Sequence, residues 1–127
     1  MQLTATILAL TLATASSTDI HPRYHEANRA AAANVVIMRI ERLNEHGLSD
    51  MGDCTLTGRV EAVERGTRLT HGQALTVSVP CYVNAASLPS SGMQWQAVHQ
   101  LRAAGRGRVW LNAEGGQING RYFRILD

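Results

Sequence analysis

The sequence predicts a small, mainly β domain: a five-stranded barrel with one short helix between strands three and four. Three observations predict it. Two segments near the centre alternate apolar and polar residues at period two, which marks half-buried strands. The two cysteines of the chain, Cys54 and Cys81, fall one in each of those segments. A single helix-like stretch comes after them, and two further short β-type runs complete the chain. The composition agrees. The chain has 127 residues, 45% of them hydrophobic, with 12 basic and 10 acidic side chains and a net charge of +2. That balance excludes a disordered chain. Two cysteines exclude a four-thiolate zinc site or a disulfide-dense miniprotein.

Residues 3–15 are uncharged and apolar and end in Ala13-Thr14-Ala15. This is the pattern of a secretory signal with an A-x-A cleavage site, although no basic residue precedes it. The expectation is a signal over 1–15, a polar and alanine-rich lead-in over 16–34, and the barrel over 35–127. A helix over Tyr24–Ala33 suits the alanine content of the lead-in. A secreted chain meets an oxidising environment, so the expected compartment is the periplasm or the cell exterior and the expected bond is Cys54–Cys81. No lipobox cysteine comes after the apolar run.

Val35-Val36-Ile37-Met38-Arg39-Ile40 is β-branched and reads as the first strand, over 35–44. A helix competes there, because Val36, Ile40 and Leu43 also fall at helical spacing. Cys54 to Ala62 is the second strand and Leu75 to Val83 the third, with the turn between Gly66 and Gly72. Pro80 donates no hydrogen bond to a ladder, so its side of the strand is an edge, a bulge or an end. If the cysteines face each other directly, Leu56 faces Val79, Gly58 faces Val77 and Val60 faces Leu75. Every apolar member then lies on one face, and a slip of one residue destroys that face. Trp95, Val98 and Leu101 recur at spacing three before Gly105 and predict the short helix. Arg108–Asn112 is a brief strand. The last strand runs from Ile118 to Leu126, unless Asn119-Gly120 is itself a tight hairpin turn.

Strand, strand, strand, helix, strand, strand is the order of the OB-fold. The run Gly58, Val60, Val63, Gly66, Leu69, Gly72, Leu75, Val77, Val79 and Cys81 resembles netrin-like modules and tissue inhibitors of metalloproteinases, which use that barrel. The resemblance spans about residues 35–126. It implies the barrel, and with it protease inhibition as an alternative function. Those inhibitors place an N-terminal cysteine at the protease zinc. Here no cysteine precedes Cys54, so any inhibition would have to use a loop.

The motifs of catalysis are missing from the sequence. There is no G-x-S-x-G elbow and no H-E-x-x-H helix. His46, His71 and His99 are scattered, and Asp50 and Asp53 lack the remainder of a calcium loop. His21 and His25, with Asp19 and Glu26 nearby, are weak candidates for metal ligands. The wide separation of the cysteines favours a structural over a redox role. All twelve basic residues are arginine. Arg68, His71, Arg106, Arg108, Arg121 and Arg124 are the candidate ligand contacts, and Trp110 and Phe123 read as core. The sequence therefore predicts a non-enzymatic binding module with no cofactor and no membrane span. Its expected partner is a protein or glycan of the cell envelope and not a nucleic acid.

Overall fold

The computed structural model describes residues 22–89 and 92–127. The expected signal over 1–15 and His21 lie outside the described residues. The described chain runs α1 (Pro22–Ala31), β1 (Asn34–Asn44), β2 (Met51–Arg65), β3 (Ala74–Tyr82), β4 (Gln96–Ala97), α2 (Val98–Ala103), β5 (Arg106–Leu111) and β6 (Phe123–Ile125). One turn of 3-10 helix at Ala85–Ser87 lies between β3 and β4. The strands form one curled sheet in the order β4-β3-β2-β1-β5-β6. There are thus six strands instead of five, and the barrel is an open half-barrel.

Residues 35–44 are strand, as the β-branched run requires, and the helical alternative is excluded. The strand wins because β1 lies between β2 and β5, where a flat ribbon completes two ladders at once. Its pairing with β2 shifts register three times. Such irregularities bend long strands, and they let strands of 11 and 15 residues curl around a core. Val36, Met38, Leu56, Val60, Val77, Val79, Val109 and Leu111 fill that core on the concave side. Phe123 lies across Gly107, where a Cβ would collide with its ring.

The Cys54–Cys81 disulfide is present, with Cα atoms 5.8 Å apart. The expected register around it is corrected by two residues. Cys54 faces Val79, Leu56 faces Val77, Gly58 faces Leu75, and Cys81 faces Gly52. The bond is diagonal and not directly cross-strand. A shift of two keeps every side chain on its face, so alternation fits both registers equally.

Three further expectations are adjusted. The second helix begins at Val98, because Gln96 and Ala97 pair in parallel with Cys81 and Tyr82. The last strand shrinks to Phe123–Ile125. Ile118–Arg121 is a turn, closed by the Arg121 N–H donating to the Ile118 carbonyl at 2.9 Å. The lead-in is also more than a tether, since its helix packs on the outer face of the sheet.

The free side of β3 is closed by several small devices. Ser78 turns its N–H and C=O away from β2, and the Gln117 side chain binds both, at 2.8 and 2.7 Å. By the period of two, Pro80 turns the same way and has no N–H to leave unmet. Beyond it, β4 covers Cys81 and Tyr82.

Candidate functional site

The outer face of the sheet has two zones. At one end Val35, Trp110 and Tyr122 form a second apolar cluster with Ala32. α1 lies over it. Ala27, Ala30 and Ala31 favour the helix, and Pro22 suits its first turn. Its last carbonyls lack helical partners. Arg65 Nη1 supplies them, donating to Arg29 O, Ala30 O and Ala32 O at 3.0, 3.2 and 2.8 Å.

His25 on α1 is buried. One ring nitrogen, Nε2, lies 2.8 Å from the Gly92 carbonyl, which only accepts, so Nε2 carries a proton. In the neutral ring Nδ1 then accepts from the Tyr122 hydroxyl at 2.6 Å. Asn28 Nδ2 donates to the same hydroxyl at 2.9 Å. This corrects the sequence reading of a solvated lead-in, because both nitrogens of His25 are occupied by protein partners. Among the described residues no group of three or more metal-ligating side chains gathers. Arg29 lies over the rings of Trp110 and Tyr122, at 5.7 and 5.4 Å from their centroids.

The other zone of the outer face is a row of arginines. Arg39 on β1 pairs directly with Arg59 on β2 and with Arg106 on β5. Like charges opposed across strands repel, and carboxylates flank the row to offset this. Arg59 donates to the Gly72 carbonyl at 3.0 Å and lies 3.8 Å from Glu41. Arg106 binds Asp127 at 2.7 Å and Glu61 at 3.4 Å. Those hydrogen bonds, first to Asp127 and then to Glu61, raise the Arg106 pKa further above its ordinary value. Arg39, between the two, is exposed and makes no side-chain hydrogen bond or ion pair among the described residues. Beside it Arg39, Arg59, Val60, Glu61, His71 and Gly72 line a notch of about 130 Å³.

A second row lies one step along the strands. Arg108 pairs across to Arg124 and Ile37. Arg108 grips Glu64 with two bonds of 2.6 and 2.9 Å. That hydrogen bonding holds the Glu64 carboxyl below the ordinary glutamate range and raises Arg108 in turn. Arg124 caps the Trp110 ring at 5.4 Å.

Of the six contact candidates, His71, Arg106, Arg108 and Arg124 therefore share the outer face. Arg121 and Arg68 do not join them. Arg121 takes a positive φ of 48° and binds Asp53 at 2.6 Å and Ser78 at 3.0 Å. Arg68 sits on the Gly66–Gly72 turn. Its backbone N–H reaches the Asn34 side chain at 3.1 Å and its Nε the Glu114 carbonyl at 3.1 Å. It lines a separate cleft of about 360 Å³ with Asn34, Thr67 and Ala113. His46 holds the Thr55 hydroxyl at 2.7 Å, and His99 is exposed on α2. Trp110 and Phe123 are buried, as expected.

Sequence reasoning missed Arg39 and Arg59. Alternation puts both outward, but no signal in the chain gives the β1–β2 register that aligns them. No protein-family model, curated protein or solved structure matches this chain.

Proposed function

We propose that the protein is a non-enzymatic binding module of an oxidising compartment, periplasmic or extracellular, and that the outer arginine face is its contact surface. The disulfide supports the compartment. The observation that carries the surface is Arg39, without a side-chain partner among the described residues, between two arginines that protein groups already hold in place. Guanidinium groups ordered in advance lose less freedom when a ligand arrives. In this proposal the sheet is an opened OB-like barrel. That reading is supported by the β1-β2-β3 meander, by β1 shared between β2 and β5, and by a helix in the crossover. OB-folds bind oligonucleotides and oligosaccharides on a barrel face. The test is capture of envelope components by the disulfide-bonded protein, run beside Arg39→Ala. A stoichiometric protein or glycan retained by the parent protein and lost by the variant is the expected result. Equal retention by both overturns the assignment of the surface.

A second reading, loop-based protease inhibition, is favoured by one observation. The exposed Gly66–Gly72 turn is tied down at Arg68 by Asn34 and Glu114, and a rigid exposed loop is what such a mechanism needs. A protease panel at micromolar protein tests it, and no inhibition removes it.

A further inference from the structure

We infer that His25 is a pH-sensitive latch: protonation of its ring releases α1 from the sheet and uncovers the cluster of Val35, Trp110 and Tyr122. The inference goes beyond the binding-module reading and requires no ligand. The latch joins three parts of the chain. His25 on α1 reaches the Gly92 carbonyl through Nε2 and the Tyr122 hydroxyl through Nδ1, at 2.8 and 2.6 Å. Arg29, one turn on, donates to the Gln94 side chain at 3.2 Å. With the ring neutral, Tyr122 donates to Nδ1 and accepts from Asn28. A second proton on the ring turns Nδ1 from an acceptor into a donor. It then meets the hydroxyl hydrogen head-on across 2.6 Å. The hydroxyl must turn that hydrogen away, because its partners, Asn28 Nδ2 and the protonated ring, are then both donors. A buried donor without an acceptor is costly.

Electrostatics acts in the same direction. His25 is buried, so a charged ring there loses most of its hydration. It lies close to the N-terminus of α1, where the helix dipole disfavours a cation. Arg29 follows at i+4 and sets a like charge on the same side of the helix. Among the described residues no carboxylate pairs with His25. Arg23 and Glu26 are exposed on α1, where water and salt screen them. The 92–95 segment brings no charged side chain. On the sheet, Arg124 lies over Trp110, Arg108 is taken by Glu64, Arg121 by Asp53 and Arg65 by the helix carbonyls. The open state therefore binds a proton that the docked state excludes. Docking strengthens as the pH rises and weakens as it falls through the histidine range. Once α1 lifts, the 92–95 segment loses its anchors at Gly92 and Gln94.

The test reads Trp110, which lies beneath α1. The chain has two tryptophans, so Trp95→Phe leaves Trp110 as the sole reporter in the full disulfide-bonded chain. That change removes an indole Nε1 with no hydrogen-bond partner among the described residues. Acrylamide quenching is followed from about pH 8 to about pH 5, above the range where ordinary carboxylates protonate. The quenching constant is expected to rise about twofold along a one-proton curve as the helix opens locally, while the infrared amide band of the sheet is unchanged. His25→Gln in the same background is expected to abolish the pH dependence. Replacing His21, His46, His71 and His99 by Gln leaves His25 as the one histidine and is expected to keep it. This second variant decides where His25→Gln does not fold. A flat profile in the reporter chain, a profile that survives His25→Gln or vanishes with the other four histidines, or loss of the sheet signal in step with the quenching overturns the inference.

Discussion

The two faces of the sheet are held by different chemistry. The concave side is a continuous apolar core crossed by a disulfide. On the convex side α1 is attached by a small cluster and a handful of specific hydrogen bonds from His25, Asn28 and Arg65. Apolar burial is non-directional and adds up with area. Hydrogen bonds give little net stability, but a buried partner left unmet is costly. The inner side should therefore fail globally and by degrees, and the outer side locally, one bond at a time.

The largest effect should come from the core. Leu56→Ala removes a fully buried side chain and is expected to cost about 2–5 kcal/mol. In urea titrations every spectroscopic probe should shift together. Removal of the crosslink comes next. The double variant Cys54→Ala/Cys81→Ala opens a link between positions 27 apart, at an expected cost of about 2–4 kcal/mol. Again the whole transition should move.

Tyr122→Phe is the variant that sharpens the contrast. It leaves Asn28 without its acceptor and His25 Nδ1 without its donor, for an expected cost of about 1–3 kcal/mol. Hydrogen exchange should quicken in α1 while β1 and β5 stay protected. Uniform loss of protection across the sheet would show that the two sides are one cooperative unit, and the comparison would fail.

The smallest effect is electrostatic. The folded Glu64 pKa lies below its ordinary value of 4.5, first because of its hydrogen bond to Arg108. Ionised Glu64 therefore contributes stability above about pH 4.5. That contribution fades as the pH falls from there through the lowered folded value. Glu64 is 36% exposed, so screening limits it to a few tenths of a kcal/mol. Urea midpoints from pH 6 to 3, parent against Glu64→Gln, should converge as the carboxyl protonates.

The inner side was the legible one. Alternation through 54–62 and 75–83 identified the core residues of β2 and β3, because core and pattern are the same physical fact, and the crosslinked pair followed from the chain having two cysteines. It missed the register, since a period of two cannot distinguish Cys54 opposite Cys81 from Cys54 opposite Val79. The outer side was nearly silent. His25 and Tyr122 are 97 positions apart, and neither belongs to a periodic run. The clamp of Gln117 on Ser78 is one side chain against one peptide, which leaves no trace in composition. The arginine row appears only once β1 is aligned with β2 and β5, so Arg106 and Arg108 were seen from sequence and Arg39 was not.

That clamp bears on how the molecule behaves in a crowd. An open ribbon border is a template on which another copy can crystallise a fibril. Here a glutamine amide imitates the missing ribbon at Ser78, and the neighbouring proline has nothing to offer a visitor. The shielding of this border thus rests in part on one uncharged side chain.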